Sequence, residues 1–215
     1  MITFSNPFTA TATAGTVFVA QISDVFTNPT STQPTASFIV STFSANSYSI
    51  AEVSTAITVT MDTADSFTTS SMTRTSATNN AVTTYHFSFS QQSPLEASSK
   101  LLLTFPSDVT PSSSPTCTIT LPAAQAGVVA CTQDGLTLTV TLPATIIASG
   151  TTVEFDISDV RNPPSFKPSG SYTFQTKTSN SLYRYSYGII SPALTNTVPT
   201  SFENIDSLFV PTILG

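Results

Sequence analysis

The chain alternates hydroxyl and apolar residues over short stretches, which is the pattern of β-strands that bury one face. Residues 136–143 read LTLTVTLP, and residues 83–90 read TTYHFSFS. Thr also has a high strand propensity because its Cβ is branched. Helical periodicity does not extend beyond about two turns anywhere. The pattern predicts strands at Val53–Met61, Phe67–Thr73, Val82–Ser90, Lys100–Phe105, Cys117–Leu121, Val128–Thr132, Leu136–Leu142, Thr152–Ile157 and Ser171–Thr178.

These short strands are separated by Pro, Gly, Asn and Ser, so the sequence predicts an all-β protein. The expected architecture is an immunoglobulin-like antiparallel β-sandwich. With 40% hydrophobic residues and 15 Phe, the chain has enough apolar side chains to form a core instead of remaining disordered.

The composition excludes several classes of partner. Charged residues make up only 8% of the chain, against about 25% in typical globular proteins. Six basic residues stand against twelve acidic ones without a basic cluster, so we expect no nucleic-acid binding. No apolar run reaches the roughly 18 to 20 residues of a membrane span. A surface of hydroxyls indicates an extracellular or cell-surface protein, whose Ser and Thr can carry O-linked glycans.

One phrase occurs twice. ISDVFTNPTSTQPTASF begins at Ile22, and ISDVRNPPSFKPSGSY begins at Ile157. Upstream, GTVFVAQISDV from Gly15 aligns with GTTVEFDISDV from Gly150. The Asn-Pro pair, followed by a further Pro, ends one strand and carries the chain to the next. We therefore interpret each copy as the closing part of one β-sandwich.

The position of the copies predicts the domain organisation. The second copy follows a long stretch of strands, whereas the first lies close to Met1. We expect residues 1–49 to be an incomplete N-terminal unit that is completed by strands from elsewhere. Residues 50–188 are expected to form the complete sandwich, and residues 189–215 a tail that can donate a strand.

The order of motifs in the complete unit resembles a known kind of repeat. YHFSFSQQSPLEASSKLLLTFPSDV is followed by Cys117, Cys131, LTLTVTLP and the closing phrase that ends at Tyr172. This order resembles the Ser/Thr-rich repeats of large predicted surface proteins of ciliates and other protists. The resemblance implies tandem extracellular β domains but no defined activity. The first copy departs from it because it lacks both cysteines and the LTFP strand.

Cys117 and Cys131 are predicted to form a disulfide. In an exported protein two such cysteines pair most simply with each other, and a loop of this length makes the bond worth about 3 kcal/mol on the chain-entropy model. Two thiols without a nearby His or a second Cys pair cannot complete a tetrahedral metal site.

Other polar residues do not form a recognisable reaction centre. His86 is expected on the solvent face of its strand, opposite Tyr85, Phe87 and Phe89. The acidic groups Glu154, Asp156 and Asp159, and Asp62 with Asp65, match no defined calcium loop, so a solvated strand face is the preferred interpretation over a Ca²⁺ site. We predict no catalytic, cofactor-binding or metal-binding residues and no enzymatic activity.

Tyr183, Tyr185 and Tyr187 alternate in SLYRYSYG. They either form a tyrosine ladder that contacts a sugar or a neighbouring subunit, or belong to a final strand that packs into the core. The tail adds apolar residues that can take part in assembly, namely Ile205, Leu208, Phe209, Val210, Ile213 and Leu214.

An incomplete sandwich exposes apolar faces and strand edges, so something must cover it. If the tail of one molecule adds strands to the N-terminal unit of the next, the product is a head-to-tail polymer. The sequence thus favours a structural subunit of an extracellular glycosylated filament, with copies of itself as partners. The alternative is an adhesin or a carbohydrate-binding β-sandwich from a tandem-repeat surface protein.

Overall fold

The computed structural model describes residues 4, 13, 15–17, 19, 21–23, 28–44, 46–53, 55, 57–190 and 194–197. Their strands are β1 (Ser41–Phe43), β2 (Ser49–Glu52), β3 (Asp65–Arg74), β4 (Val82–Gln91), β5 (Lys100–Thr104), β6 (Cys117–Leu121), β7 (Gly127–Val129), β8 (Cys131–Asp134), β9 (Thr137–Thr141), β10 (Thr152–Arg161), β11 (Tyr172–Lys177) and β12 (Arg184–Ile190). The one helical element in this part of the chain is a 3₁₀ turn at Ala123–Gln125. The all-β prediction is confirmed.

Strands β3 to β12 form one continuous sheet that folds back on itself into a near-barrel. Its order is β7-β6-β10-β4-β3-β12-β11-β5-β9-β8. Every neighbouring pair in it is antiparallel except β3 and β12, which run parallel where Asp65 and Ser66 meet Ser186 and Tyr187. This parallel contact joins the β7-to-β3 half to the β12-to-β8 half.

An aromatic core lies between the two halves. The Phe87 ring centroid on β4 is 5.2 Å from that of Phe155 on β10, and 5.4 Å from that of Phe174 on β11 in the opposite half. Tyr85, Phe87 and Phe89 are fully buried, as the alternation predicts. Each such side chain contributes about 1.5 to 3 kcal/mol through its removal from water.

The predicted disulfide between Cys117 and Cys131 is present, with a Cα–Cα distance of 6.1 Å. The two cysteines lie on β6 and β8, which belong to opposite halves and do not pair with each other. The bond therefore links the halves at the side away from the β3–β12 contact. The chain itself also connects that side, because β7 passes into β8 through Ala130.

Several predicted strand limits need correction. Within Val53–Met61, the described residues contain a single isolated bridge, from Ile57 to Phe38. Val128–Thr132 is divided at Ala130, because β7 and β8 lie in different halves. β2 lies across the expected boundary between residues 49 and 50, and β12 continues to Ile190.

The immunoglobulin-like assignment and the incomplete N-terminal domain stay predictions. Within the residues described above, no helix is long and apolar enough to cross a membrane.

Candidate assembly site

The described residues between 35 and 59 form an antiparallel ribbon, which we call the N-terminal hairpin. β1 and β2 pair through Ser41 with Glu52 and Thr42 with Ala51. At the turn, the Ser44 amide donates to the Tyr48 carbonyl at 2.8 Å. At the other end, the Thr35 amide donates to the Val59 carbonyl at 2.9 Å. The ribbon is thus longer than the two strands alone.

Around its turn, the N-terminal hairpin has the same register as the hairpin that closes the near-barrel, β11–β12, which we call the closing hairpin. The registers differ farther from the turn, because Phe38 pairs with Ile57, whereas Tyr172, its counterpart, pairs with Ile190, which aligns with Thr55. In the closing hairpin, Thr176 pairs with Ser186 and Lys177 pairs with Arg184, so Tyr185 is the extra residue of a bulge. In the N-terminal hairpin, Thr42 pairs with Ala51 and Phe43 pairs with Ser49, so Ile50 is the extra residue.

The doubled phrase aligns Phe38 with Tyr172, which places Thr42 on Thr176 and Phe43 on Lys177. The two bulges therefore occupy the same position in the repeat. The repeated unit extends beyond the phrase itself to include a hairpin with a shared irregularity.

Equivalent positions of the two hairpins differ in burial. Tyr185 is 1% exposed and Phe174 is 1% exposed, whereas their counterparts Ile50 and Val40 are 69% and 54% exposed. Further large apolar side chains of the N-terminal hairpin are also exposed: Phe38, Ile39, Phe43, Tyr48, Ile57 and Val59. A two-stranded sheet is at best marginally stable in water, and a concentration of exposed apolar side chains marks an interaction surface.

The Asn-Pro turn of the second copy is fixed by a network around Asn162, which is buried. The Asn162 Oδ1 accepts hydrogen bonds from the Tyr85 hydroxyl at 2.8 Å and from Arg74 Nη1 at 3.0 Å. Its Nδ2 donates to the carbonyls of Ser76 at 2.9 Å and Thr78 at 2.8 Å. All four partners come from β3, β4 or the turn between them.

The first copy lacks this environment. Asn28, the counterpart of Asn162, is exposed, and Ile22 is 39% exposed where its counterpart Ile157 is fully buried. The same phrase therefore has a buried and an exposed form in one chain. Thr32 attaches the first copy to the near-barrel at the start of β12: its amide donates to the Arg184 carbonyl at 2.8 Å, and its Oγ1 accepts from the Arg184 amide at 2.9 Å.

The bulge shifts the alternation of β12, so Tyr183, Tyr185 and Tyr187 do not share one face. Tyr185 and Ser186 are both buried, and Tyr187 is 38% exposed on the outer face. Tyr183 precedes the strand and is half-buried. Tyr185 is thus a core residue, and burial raises its pKa to about 12. Of the predicted assembly residues, Ile205, Leu208, Phe209, Val210, Ile213 and Leu214 lie outside the described residues.

His86 lies on the outer face of β4, as the alternation predicts, between two carboxylates of β10. Its Nδ1 is 2.6 Å from Asp156 Oδ1, and its Nε2 is 3.7 Å from Glu154 Oε2. Ser88 donates to Glu154 at 3.4 Å. The two carboxylates approach different ring nitrogens and do not converge on one point. In the described part of the chain, no group of three His, Cys, Asp or Glu side chains is arranged to hold a metal ion.

Comparison with known proteins assigns no family. No family model and no curated protein matches the chain. Among solved structures, it is similar to the one titled "Crystal structure of BslA - A bacterial hydrophobin", with 18% identity and a TM-score of 0.33. That match covers 57% of this chain and 92% of the other.

Proposed function

We propose that this protein is a structural subunit of an extracellular filament, in which the N-terminal hairpin of one molecule is completed by strands of another. The observation that carries the proposal is that one hairpin, with one bulge, occurs twice. It is buried in the near-barrel in one copy and exposed in the other. An exposed copy of a core element is a preformed acceptor for β-strand addition.

Burial of the exposed side chains supplies the driving force. Covering Val40 and Ile50 would contribute about 1.5 to 3 kcal/mol each, if they became as buried as Phe174 and Tyr185. A strand added to β2 would also pair backbone groups that a two-stranded ribbon leaves to solvent. Side-chain burial and backbone pairing therefore both favour association at the N-terminal hairpin.

The near-barrel itself offers little edge for polymerisation. β3 and β12 close one side by pairing with each other. On the other side, β7 and β8 have only three and four residues, and the disulfide holds that side together. Short edge strands of this kind are a common protection against edge-to-edge association. The N-terminal hairpin is therefore the better site for strand addition.

The disulfide and the hydroxyl-rich surface support an extracellular or cell-surface location, where O-linked glycans can be attached to Ser and Thr. We propose a structural and not an enzymatic role. The adhesin or carbohydrate-binding alternative has less support, since Tyr185 is in the core and only Tyr183 and Tyr187 of the predicted ladder reach the surface.

Substitutions that introduce charge into the N-terminal hairpin test the proposal. We expect the wild-type protein to form filaments that are visible by negative-stain electron microscopy and that sediment in proportion to concentration. The double variant Val40→Asp/Ile50→Asp should remain monomeric, because the buried carboxylates would oppose association. Its circular dichroism and thermal midpoint should stay close to wild type, since both positions are exposed in the monomer.

Val128→Asp is the matched control, because Val128 is an exposed apolar residue on the edge strand β7. This variant should form filaments normally. A monomeric wild-type protein at all accessible concentrations would refute the proposal. Loss of filaments in Val128→Asp but not in the hairpin variant would place assembly at the β7 edge instead.

A further inference from the structure

The dipeptide Asp-Ser occurs at two places in the sequence, Asp65-Ser66 and Asp206-Ser207. The first begins β3, where residues 64–72 read ADSFTTSSM. The second lies in the tail, where residues 205–213 read IDSLFVPTI. With these dipeptides aligned, Leu208 falls on Phe67 and Ile213 falls on Met72.

The two aligned apolar positions are the ones that β3 turns inward. Phe67 packs on Phe89, with ring centroids 5.3 Å apart, and Met72 is buried. Residues 68 to 71 of β3, which lie between them, are exposed. The spacing of five residues departs from strict alternation because β3 has a register shift between Phe67 and Thr69. The tail has apolar residues at both inward positions, with the same spacing.

β3 is the strand that completes the closing hairpin. Asp65 pairs in parallel with Ser186, and Ser66 with Tyr187. Phe67 then lies over Gly188, where an added Cβ would come within 2.5 Å of the ring. The large ring is thus accommodated by the absence of a side chain at residue 188.

The equivalent contact in the N-terminal hairpin would join different but complementary side chains. The shared register places Ala51 at the position of Ser186, Glu52 at that of Tyr187, and Val53 at that of Gly188. A larger residue at 53 requires a smaller one than Phe opposite it, and the tail has Leu208 there. The pair Gly and Phe becomes Val and Leu, which have the same total number of side-chain carbon atoms, although they occupy a somewhat larger volume.

We propose that residues Asp206–Ile213 of a second copy form the missing strand, parallel to β2, as β3 is parallel to β12. This inference rests on the proposed function and names its donor. Pro211 fits this role, because a donor strand without a counterpart of β4 is an edge strand, where a missing amide donor is tolerated.

The donor belongs to a second copy because the two sites lie at opposite ends of the near-barrel. Thr32, which precedes the N-terminal hairpin, is attached at Arg184, beside the start of β3. The tail leaves at the far end, where the Thr197 amide donates to the Ala77 carbonyl at 3.1 Å. The length of β3 separates these points by roughly 30 Å. The nine residue steps from Thr197 to Asp206 span at most about 32 Å when fully extended, which disfavours closure within one molecule.

Two substitutions in the full chain test the inference. Leu208→Asp should raise the concentration needed for half-assembly at least about tenfold, because in the proposed pairing the side chain of residue 208 packs on Val53. Phe209→Asp should change it less than about threefold, although Phe is larger, because adjacent strand residues point to opposite faces. Sedimentation and electron microscopy measure both.

Register is tested with a pair of introduced cysteines. The full-length variant Ala51→Cys/Asp206→Cys should give a ladder of disulfide-linked oligomers on non-reducing gels under mild oxidation. Ala51→Cys/Ser207→Cys should give a much weaker ladder, because the second thiol points to the other face.

The outcomes separate the two proposals. Filaments that are lost in Val40→Asp/Ile50→Asp but retained in Leu208→Asp would overturn the assignment of the donor and leave the proposed function standing. Equal ladders from both cysteine pairs would overturn the register. A cross-link found only within monomers would overturn the second copy as donor. A wild-type protein that never assembles would refute the proposed function itself.

Discussion

Asn162 provides the sharpest test of how the repeated phrase is stabilised. We consider Asn162→Ala, which removes both the acceptor and the donor of a buried amide. Four hydrogen bonds end on that side chain, from Tyr85 and Arg74 and to the Ser76 and Thr78 carbonyls. The Asn162 side chain is 2% exposed, so water does not replace it without a rearrangement.

The magnitude follows from the partners that are left behind. A buried polar group without a partner costs about 1 to 3 kcal/mol. Arg74 retains its bond to the Thr195 carbonyl at 2.7 Å, so its loss is the smallest. The Tyr85 hydroxyl and the carbonyls of Ser76 and Thr78 would each lose a partner, and the surrounding structure would relax only in part. The free energy of unfolding should therefore fall by about 3 to 5 kcal/mol. For a chain of this size, that lowers the thermal midpoint by roughly 10 °C.

The chain contains its own control. Asn28 occupies the same position in the first copy and is exposed, so Asn28→Ala should change the free energy of unfolding of the monomer by less than about 0.5 kcal/mol. Guanidinium titrations followed by far-ultraviolet circular dichroism and tyrosine fluorescence measure both variants, and the absence of Trp leaves the tyrosine signal clear. Equal losses in the two variants, or a loss below about 1 kcal/mol for Asn162→Ala, would refute the reasoning.

Two further predictions concern the closing hairpin. Gly188→Ala should lower the free energy of unfolding by about 1 to 3 kcal/mol in a guanidinium titration, because the new methyl group meets the Phe67 ring. An unchanged free energy of unfolding would show that the ring moves aside freely. Burial raises the pKa of Tyr185 from its ordinary value of 10 to about 12. Between pH 10 and about pH 12, the unfolded state has therefore released a proton that the folded state retains. The free energy of unfolding should therefore fall as pH rises through this window, and Tyr185 should contribute up to about 1.4 kcal/mol per pH unit to that fall. The variant Tyr185→Phe should lose this contribution, whereas the decrease caused by other groups should remain.

Alternation predicted the faces of regular strands well. It placed Tyr85, Phe87 and Phe89 inward and His86 outward on β4, and the structure agrees, because β4 has no irregularity within those residues. The disulfide could also be predicted, since it follows from the residue types together with the expectation that the protein is exported. Both inferences rest on local chemistry.

Alternation failed where the backbone departs from the regular period. One extra residue at Tyr185 turns it into the core, so Tyr185 does not share a face with Tyr187 as alternation alone indicates. β7 and β8 read as one strand because nothing about Ala130 distinguishes a crossing between sheet halves from a continuous strand. Bulges and crossings are decided by packing between distant strands, which a local pattern does not contain.

The pairing of the strand expected from Phe38 with β2, which forms the N-terminal hairpin, was missed for a different reason. The strand residues of this hairpin do not alternate clearly, and Ile39 and Val40 are adjacent apolar residues on opposite faces. The signal that could have found it is the repeat: extending the alignment one strand beyond Phe38 and Tyr172 places β1 on the end of β11. A repeat carries tertiary information from one copy to the other, because the partner strands of the second copy define what the first one lacks.

The shared bulge also bears on the strand direction expected at each junction of the proposed polymer. The two hairpins have different side chains at the bulge, Ile50 and Tyr185, but the same register around it, so β2 and β12 offer a third strand a similar edge at that point. In the closing hairpin that third strand, β3, is parallel. If every junction repeats the same heterologous contact between tail and hairpin, the polymer is a polar filament with two different ends.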